Sequence, residues 1–339
     1  MIRRLLVIPV LALALGSAVL ALSPASGAND GIAAIDLSER YTVGDGIRQD
    51  KLTLYPILDK QVKPRPQGDY DLLGSAMAAK TLTITEVSAS GTVATLKVLN
   101  TGKKPVLLLA GDVITGGKQD RVVTEDLVLD SSPTPMTIAV NCVEAGRWNT
   151  TSDHFSYGGR AESELKQTVE MEKDQSKTWS KVAEVNLKKA ERFADLTLTP
   201  STGTYNASLS NPQVVAARDA IVKGLSPELD KQTHLVGLVV AIGDDVIAGE
   251  IFGHPTLFER SEADLLNAFA LDAVSSDDRG KPPTTAEAAA FLEDVLTAKT
   301  TRTQELSNGT RLDFEDVDVE GTLLRTKGAE VIHLNSYKK

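Results

Sequence analysis

Three short segments hold the side chains best equipped for chemistry: Gly111-Asp112, Gly116-Gly117-Lys118-Gln119-Asp120-Arg121, and Cys142-Val143-Glu144-Ala145-Gly146-Arg147-Trp148. Apolar, strand-like runs end in these clusters of charge, amide and glycine, a pattern that packing alone does not require. Glycine lets backbone approach a ligand closely. Lys118 and Arg121 suit an anion, Arg121 through a two-pronged guanidinium, and Gln119 suits an amide or hydroxyl. Asp112 and Glu144 are the carboxylates able to activate water, with Lys118 or Arg121 stabilising developing negative charge. Arg147 can pair with Glu144, and Trp148 can cover the pair. The plainer alternatives are a tight turn whose charges are solvated, and a structural ion-pair network under a tryptophan, which has the charge content of an active site without the function.

Other chemistries fail on spacing. Gly116-Gly117-Lys118 does not make a phosphate-binding P-loop: Asp112 stands where the first glycine belongs, Gln119 follows the lysine, and the next segment reads as a strand. The four histidines, His154, His234, His254 and His333, are scattered, with no paired-cysteine or HExxH spacing, so no transition-metal site is expected. An oxygen-ligated site made of Asp and Glu stays open, though Asp244-Asp245 reads most simply as a hairpin turn. Gly-x-Ser-x-Gly is absent, and no cofactor motif is found. Cys142, the only cysteine, lies in an apolar run and is expected to be a buried, unreactive thiol.

Composition narrows the partners. The chain has 339 residues and a net charge of −10, which repels a phosphate backbone at long range, so no nucleic-acid partner is expected. Aromatics are only 4% of residues, leaving few stacking platforms. One cysteine gives no disulfide framework, so stability must come from core burial.

The N-terminus has the form of an export signal. Arg3 and Arg4 precede an uncharged apolar run, Leu5 to Leu22, then Pro24 and the small residues Ala25-Ser26-Gly27-Ala28. Cleavage is expected after Ala28, giving a secreted or periplasmic protein without stable membrane insertion. The rival is a retained anchor, because the run approaches bilayer-spanning length.

Periodicity then places the candidate residues. Residues 29–50 form a loose, polar N-terminal segment. Leu52 to Leu58 reads as a strand that Pro56 pushes toward an edge or bulge. Tyr70 to Lys80 reads as a short helix. Strands follow at Thr81–Val87, Thr92–Leu99, Pro105–Ala110, Arg121–Leu129 and Thr137–Val143. Ala161 to Ala194 is charged, lacks Gly and Pro, and reads as one long helix or two short ones. A helix starts at Pro212 and is capped by Gly224. His234–Ile242 and Val246–Phe252 form a hairpin. Ser261–Ser275 and Thr285–Ala298 read as helices. A meander of Thr301–Leu306, Thr310–Phe314 and Gly321–Arg325 closes the chain. The expected class is α+β: a largely antiparallel β N-terminal half, a helical middle and a mixed α/β C-terminal part. The expected units are a domain over 51–280 and a C-terminal helix-and-meander extension over 281–339.

The segments Leu108-Leu109-Ala110-Gly111-Asp112, Gly116 to Arg121 and Val140 to Trp148 resemble the ARG and rhodanese-phosphatase-superfamily-associated protein family, a bacterial domain family of unknown function. Gln175-Ser176-Lys177-Thr178-Trp179, Val236 to Ile242, and Ile251-Phe252 with the Leu265-Leu266 helix extend the similarity over roughly 50–275. Asp112 stands where the family pattern has Glu, and Asp120 where it has Asn. The resemblance implies a link to ADP-ribose or nucleotide-derived ligands.

The leading expectation is a binding module that holds a small polar or anionic ligand, or a protein partner, at Asp112, Lys118, Gln119, Arg121, Glu144, Arg147 and Trp148. The alternatives are a hydrolase acting on a phosphate- or ADP-ribose-related substrate, and a structural envelope protein. The sharpest geometric expectation is that the turns after Ile114 and Val143 lie side by side, with Lys118 or Arg121 in ion-pair reach of Glu144.

Overall fold

The structure is a computed structural model that describes residues 39–63, 69–152, 154–193 and 204–339. The expected export signal over 1–28 lies outside these residues, as do 29–38 of the expected loose segment; its remaining part, 39–50, is not loose but carries the short strands Tyr41–Val43 and Ile47–Gln49. No helix among the described residues is long and apolar enough to cross a membrane. The architecture is α+β: every strand pairing is antiparallel except that of Asp71–Leu72 with Val106–Leu108.

A nine-stranded sheet forms the larger half. Its order runs Tyr41–Val43, Leu52–Asp59, Leu235–Ile242, Asp245–Phe252, Val331–Lys338, Val319–Thr326, Gly309–Glu315, Lys299–Glu305, with Ile47–Gln49 also on Leu52–Asp59. Leu235–Ile242 is buried on both faces, which explains its unbroken apolar sequence. Helices Pro212–Leu229 and Pro255–Ser275 pack with one face, around Leu225, Leu238, Phe252 and Phe269. Helix Thr285–Thr297 packs with the other, around Ile57, Val239, Phe291 and Leu334. A fully buried side chain of this kind contributes roughly 1.5–3 kcal/mol.

The smaller half is a six-stranded sheet in the order Phe155–Arg160, Asp112–Gly116, Arg121–Val123, Met136–Cys142, Thr95–Asn100, Leu82–Glu86. It curls until its first and last strands come back into contact, with helix Leu73–Ala78 packed on both. Gly74 lies so close to the Tyr157 ring that a Cβ there would sit 2.7 Å from it. Leu96, Val98, Ile114, Val123, Ile138 and Phe155 belong to the cluster this sheet packs around. The result is a nearly closed barrel with two ends. Gly116, Arg121, Cys142, Phe155 and Glu86 stand at one end, and Asp112 and Arg160 at the other.

Several local expectations are corrected. Pro56 is not on an edge strand, but it does lie beside a bulge: the pairing of Leu52–Asp59 with Leu235–Ile242 shifts register between Leu235 and Gly237, opposite Leu58 and Ile57. Tyr41–Val43 and Ile47–Gln49 both pair with the same side of Leu52–Asp59, and Pro56 falls at the break between them, where its missing N–H costs no ladder bond and its carbonyl accepts from Gly44 N at 2.8 Å. Gly224 does not end its helix, which runs to Leu229; it lies against the Gln49 side chain, where a Cβ would fall 2.4 Å from Gln49 Oε1 unless that side chain moved. Arg121–Leu129 is two strands, Arg121–Val123 in the barrel and Leu127–Leu129 on Val106–Leu108. The charged middle takes the second of its two expected forms, two helices, Ser163–Gln167 and Gln175–Arg192, and the part not expected is the π-helical turn over Thr168–Glu172 that joins them. Lys173 leaves that turn at φ 50°, and Asp174 caps the next helix by accepting from Lys177 N. Strands Phe155–Arg160 and Val331–Lys338 were not expected. The latter pairs with both Asp245–Phe252 and Val319–Thr326, so the C-terminal meander shares a sheet with the preceding hairpin.

Candidate functional site

Six of the seven candidate residues meet at the outer end of the barrel. Gly116 and Gly117 turn the chain there at φ 114° and 55°. A Cβ on Gly117 would fall 2.2 Å from the Phe155 ring, so this turn demands glycine for both backbone and space. The loop after Cys142 lies directly alongside: Val143 N donates to Asp120 O at 3.0 Å, Gln119 Nε2 to Glu144 O at 2.8 Å, and Asp120 N to Glu144 Oε2 at 3.1 Å. The two turns are neighbours, as expected.

Their charge pairing differs from the expectation. Glu144 is held by Arg147, Nε to Oε1 at 2.7 Å and Nη2 to Oε2 at 2.5 Å, rather than by Lys118 or Arg121. Arg147 also donates to the carbonyls of Gly117 and Asn149, so Glu144 and Arg147 are spent on fixing the loop. The hydrogen bond to Glu144 is the main reason the Arg147 guanidinium is held above its usual range. Arg121 is buried because it belongs to a barrel strand, in register with Cys142, rather than to the turn.

What remains is a different grouping. Arg121 donates Nη1 to Gln119 O at 2.7 Å and Nη2 to Thr92 O at 3.3 Å, and its Nη2 stands 3.9 Å from Glu86 Oε1. Burial pushes the guanidinium down from its ordinary value, partly offset by Cys142 and Glu86. The Trp148 ring, 40% exposed, lies 5.7 Å from Arg121 Cζ and 6.0 Å from Lys118 Nζ. Lys118 forms no ion pair among the described residues, while its backbone N–H donates to Glu86 Oε1 at 3.0 Å. Cys142 is buried, its Sγ donating to Gln119 Oε1, and burial pushes its thiol up to about 11.

Asp112 does not join this group. It begins the strand that Gly116 ends, and four residues of strand span about 13 Å. Its carboxylate accepts from Leu109 N at 3.0 Å and stands 3.4 Å from the Tyr157 hydroxyl, which donates to Asp264 at 2.9 Å. Burial raises its pKa to about 7, against the pull of Arg160.

Around Asp112 begins a centre that sequence reasoning missed. Arg160 Nη2 donates to Glu250 Oε1 at 3.0 Å, and Lys166 reaches both Glu250 and Asn335. His333 Nδ1 lies 2.6 Å from Asp126 Oδ2, with its Nε2 3.3 Å from Glu250. Glu170, delivered by the π-helical turn, accepts from Tyr337 at 2.8 Å and from Thr322 at 2.5 Å. All of these groups are buried. Burial alone would raise the Glu250 carboxyl, but Arg160 and Lys166 hold it far below the usual carboxylate range. Burial would likewise lower the His333 imidazole, but Asp126 raises it. Two cavities of about 10 Å³ touch Arg160, each the size of one water. The centre therefore ties the barrel, the middle helices and the large sheet together and leaves no room there for a substrate. The available signal was single charged residues inside apolar strands, such as Glu250 in Ile247–Phe252 and His333 in Val331–Leu334.

Elsewhere, Asp244, Asp245 and Asp278 bring carboxylates within 4.8 Å of one another on the surface. An open, largely apolar groove of about 750 Å³ runs between helix Leu73–Ala78 and strands Leu82–Glu86 and Phe155–Arg160; none of the expected site residues lines it.

Comparison with known proteins yields one match. The model of the ARG and Rhodanese-Phosphatase-superfamily-associated Protein domain matches residues 40–337, beyond both ends of the stretch whose motifs carry the resemblance. No curated protein and no solved structure matches.

Proposed function

The chain belongs to the ARG and Rhodanese-Phosphatase-superfamily-associated Protein family, and on that premise we propose that it is an exported binding protein that takes a small anionic ligand at the outer rim of its barrel. Lys118 and Trp148 make the contact surface, with the buried Arg121 guanidinium behind the indole. Glu144 and Arg147 hold the loop that carries Trp148, and Gln119 ties the two turns together. The observation that carries the reading is that Lys118 has no carboxylate partner among the described residues, yet stands with Arg121 beside a half-exposed indole. An anion would complete the positive charge that the loop's own acids, engaged by Arg147, do not.

Thermal-shift and calorimetric titration with inorganic phosphate, nucleotides, ADP-ribose and small carboxylates tests this. A ligand at a hundredfold excess over its Kd adds about 2.7 kcal/mol of stability. Binding that Lys118→Ala abolishes without lowering the apo Tm supports the site. Binding that is indifferent to Lys118→Ala sinks it.

Hydrolysis of a phosphate- or ADP-ribose-related substrate by Asp112 is the rival reading, and the one-water cavities beside Asp112 and Arg160 count against it even though burial raises that carboxyl to about 7. It requires turnover that Asp112→Asn removes, and it gains nothing from Lys118 or Arg121, which lie at the other end of the barrel.

A further inference from the structure

Two polar atoms at the rim are buried without a hydrogen-bond partner among the described residues: Arg121 Nε, a donor, and Glu86 Oε2, an acceptor. They belong to side chains that face each other, Arg121 Nη2 standing 3.9 Å from Glu86 Oε1, too far for a hydrogen bond. A buried donor and a buried acceptor left over on two neighbouring side chains each carry a desolvation cost of about 1–3 kcal/mol. A bare anion satisfies only the donor and sets a second negative charge against Glu86. A hydroxyl satisfies both, accepting from Arg121 and donating to Glu86.

The surroundings add two requirements. Trp148 presents a partly exposed indole at the same place, a surface suited to the C–H face of a ring. Lys118 brings an ammonium to within 6.0 Å of the same indole ring. Gly91 keeps the intervening space clear: at φ 70° a Cβ would lie 2.8 Å from Lys118 Cδ and 3.0 Å from Glu86 Oε2. The indole lies over the guanidinium, so it must swing outward to admit a ligand. The neighbouring Arg147 is bonded to Glu144 and to the carbonyls of Gly117 and Asn149, so the backbone stays fixed and the indole turns about its own side-chain bonds.

We propose that the rim site takes an anionic sugar, with a ring hydroxyl between Arg121 and Glu86, the ring face against Trp148, and a carboxylate or phosphate substituent on Lys118. This rests on the anion-binding reading above and narrows its ligand class. Calorimetric titration of the full protein with glucuronate, glucose 6-phosphate, glucose, acetate and inorganic phosphate tests it, alongside Glu86→Gln and Lys118→Ala. The expected result is that at least one of the two anionic sugars binds tenfold or more tightly than glucose, acetate or phosphate, the two sugars separating the carboxylate source from the phosphate source. Glu86→Gln should weaken the sugar at least tenfold and leave phosphate no weaker, and Lys118→Ala should weaken both. Acetate or phosphate binding as tightly as the sugars, with Glu86→Gln silent, overturns the sugar assignment while anion binding stands. No binding of any of the five overturns both.

Discussion

Arg160 of the barrel donates to Glu250 of the large sheet at 3.0 Å, with both side chains buried. Lys166 reaches the same carboxylate from the helical middle, so one glutamate is shared by all three parts of the fold.

That sharing predicts the cost of breaking it. Arg160→Met should destabilise by about 3–5 kcal/mol, because Glu250 loses a partner that burial makes indispensable. Adding Glu250→Gln should cost less than the sum of the two single changes, since the orphaned charge disappears. Urea unfolding measures both. An Arg160→Met loss under about 1 kcal/mol, or strict additivity, would contradict a mutually dependent network.

Asp112 predicts a pH dependence of definite sign. Its folded pKa of about 7 lies above the ordinary 3.8, so the folded state holds a proton that the unfolded state has released. Stability from this group is present below the unfolded pKa and falls as pH rises toward 7, by about 1.4 kcal/mol per unit. Asp112→Asn cannot titrate, so relative to wild type it should gain stability from about pH 4 to about pH 7 and level off above. A stability difference that is flat with pH, or that moves toward wild type, would show that the carboxyl is not held neutral.

Cys142 should react slowly. Its thiol is buried and pushed up to about 11, leaving little thiolate at pH 8. Native labelling should lag far behind labelling in urea. Rapid stoichiometric labelling of the folded protein would overturn the inert-thiol reading.

Export is predicted from residues 1–28, which precede the described structure. N-terminal sequencing of protein recovered outside the cytoplasm should begin at Asn29. A mature chain that begins at Met1 would refute cleavage, and one retained in the membrane fraction would favour an anchor.

The sequence was most readable where one period dominates. Leu52–Asp59 and the hairpin at Gly243-Asp244 are strands at the expected places because their apolar runs are bounded by turn residues. Thr284 and Glu287 form a capping box one residue ahead of the expected helix start. The rim turns were legible because glycines and charges cluster there, and the turns do adjoin. Their ion pairs were not legible, because the choice between Arg147 and Arg121 depends on which side chain a barrel strand turns inward. Asp112 was misgrouped for a related reason: nearness to Lys118 in sequence becomes distance when the residues between form an extended strand. The buried centre was invisible because Asp126, Arg160, Glu250 and His333 come from four separate segments, each with one unremarkable charge.

The strand Val331–Lys338 has a consequence for how the chain can fold. It fits between two strands made earlier, and His333 meets Asp126 across 207 residues of sequence. Until those residues have been synthesised, Asp245–Phe252 keeps an unpaired edge and Asp126, Glu170 and Glu250 wait without their final partners. The large sheet therefore cannot be completed before this strand is made, and its closing contacts are of long sequence separation, the kind that slows folding.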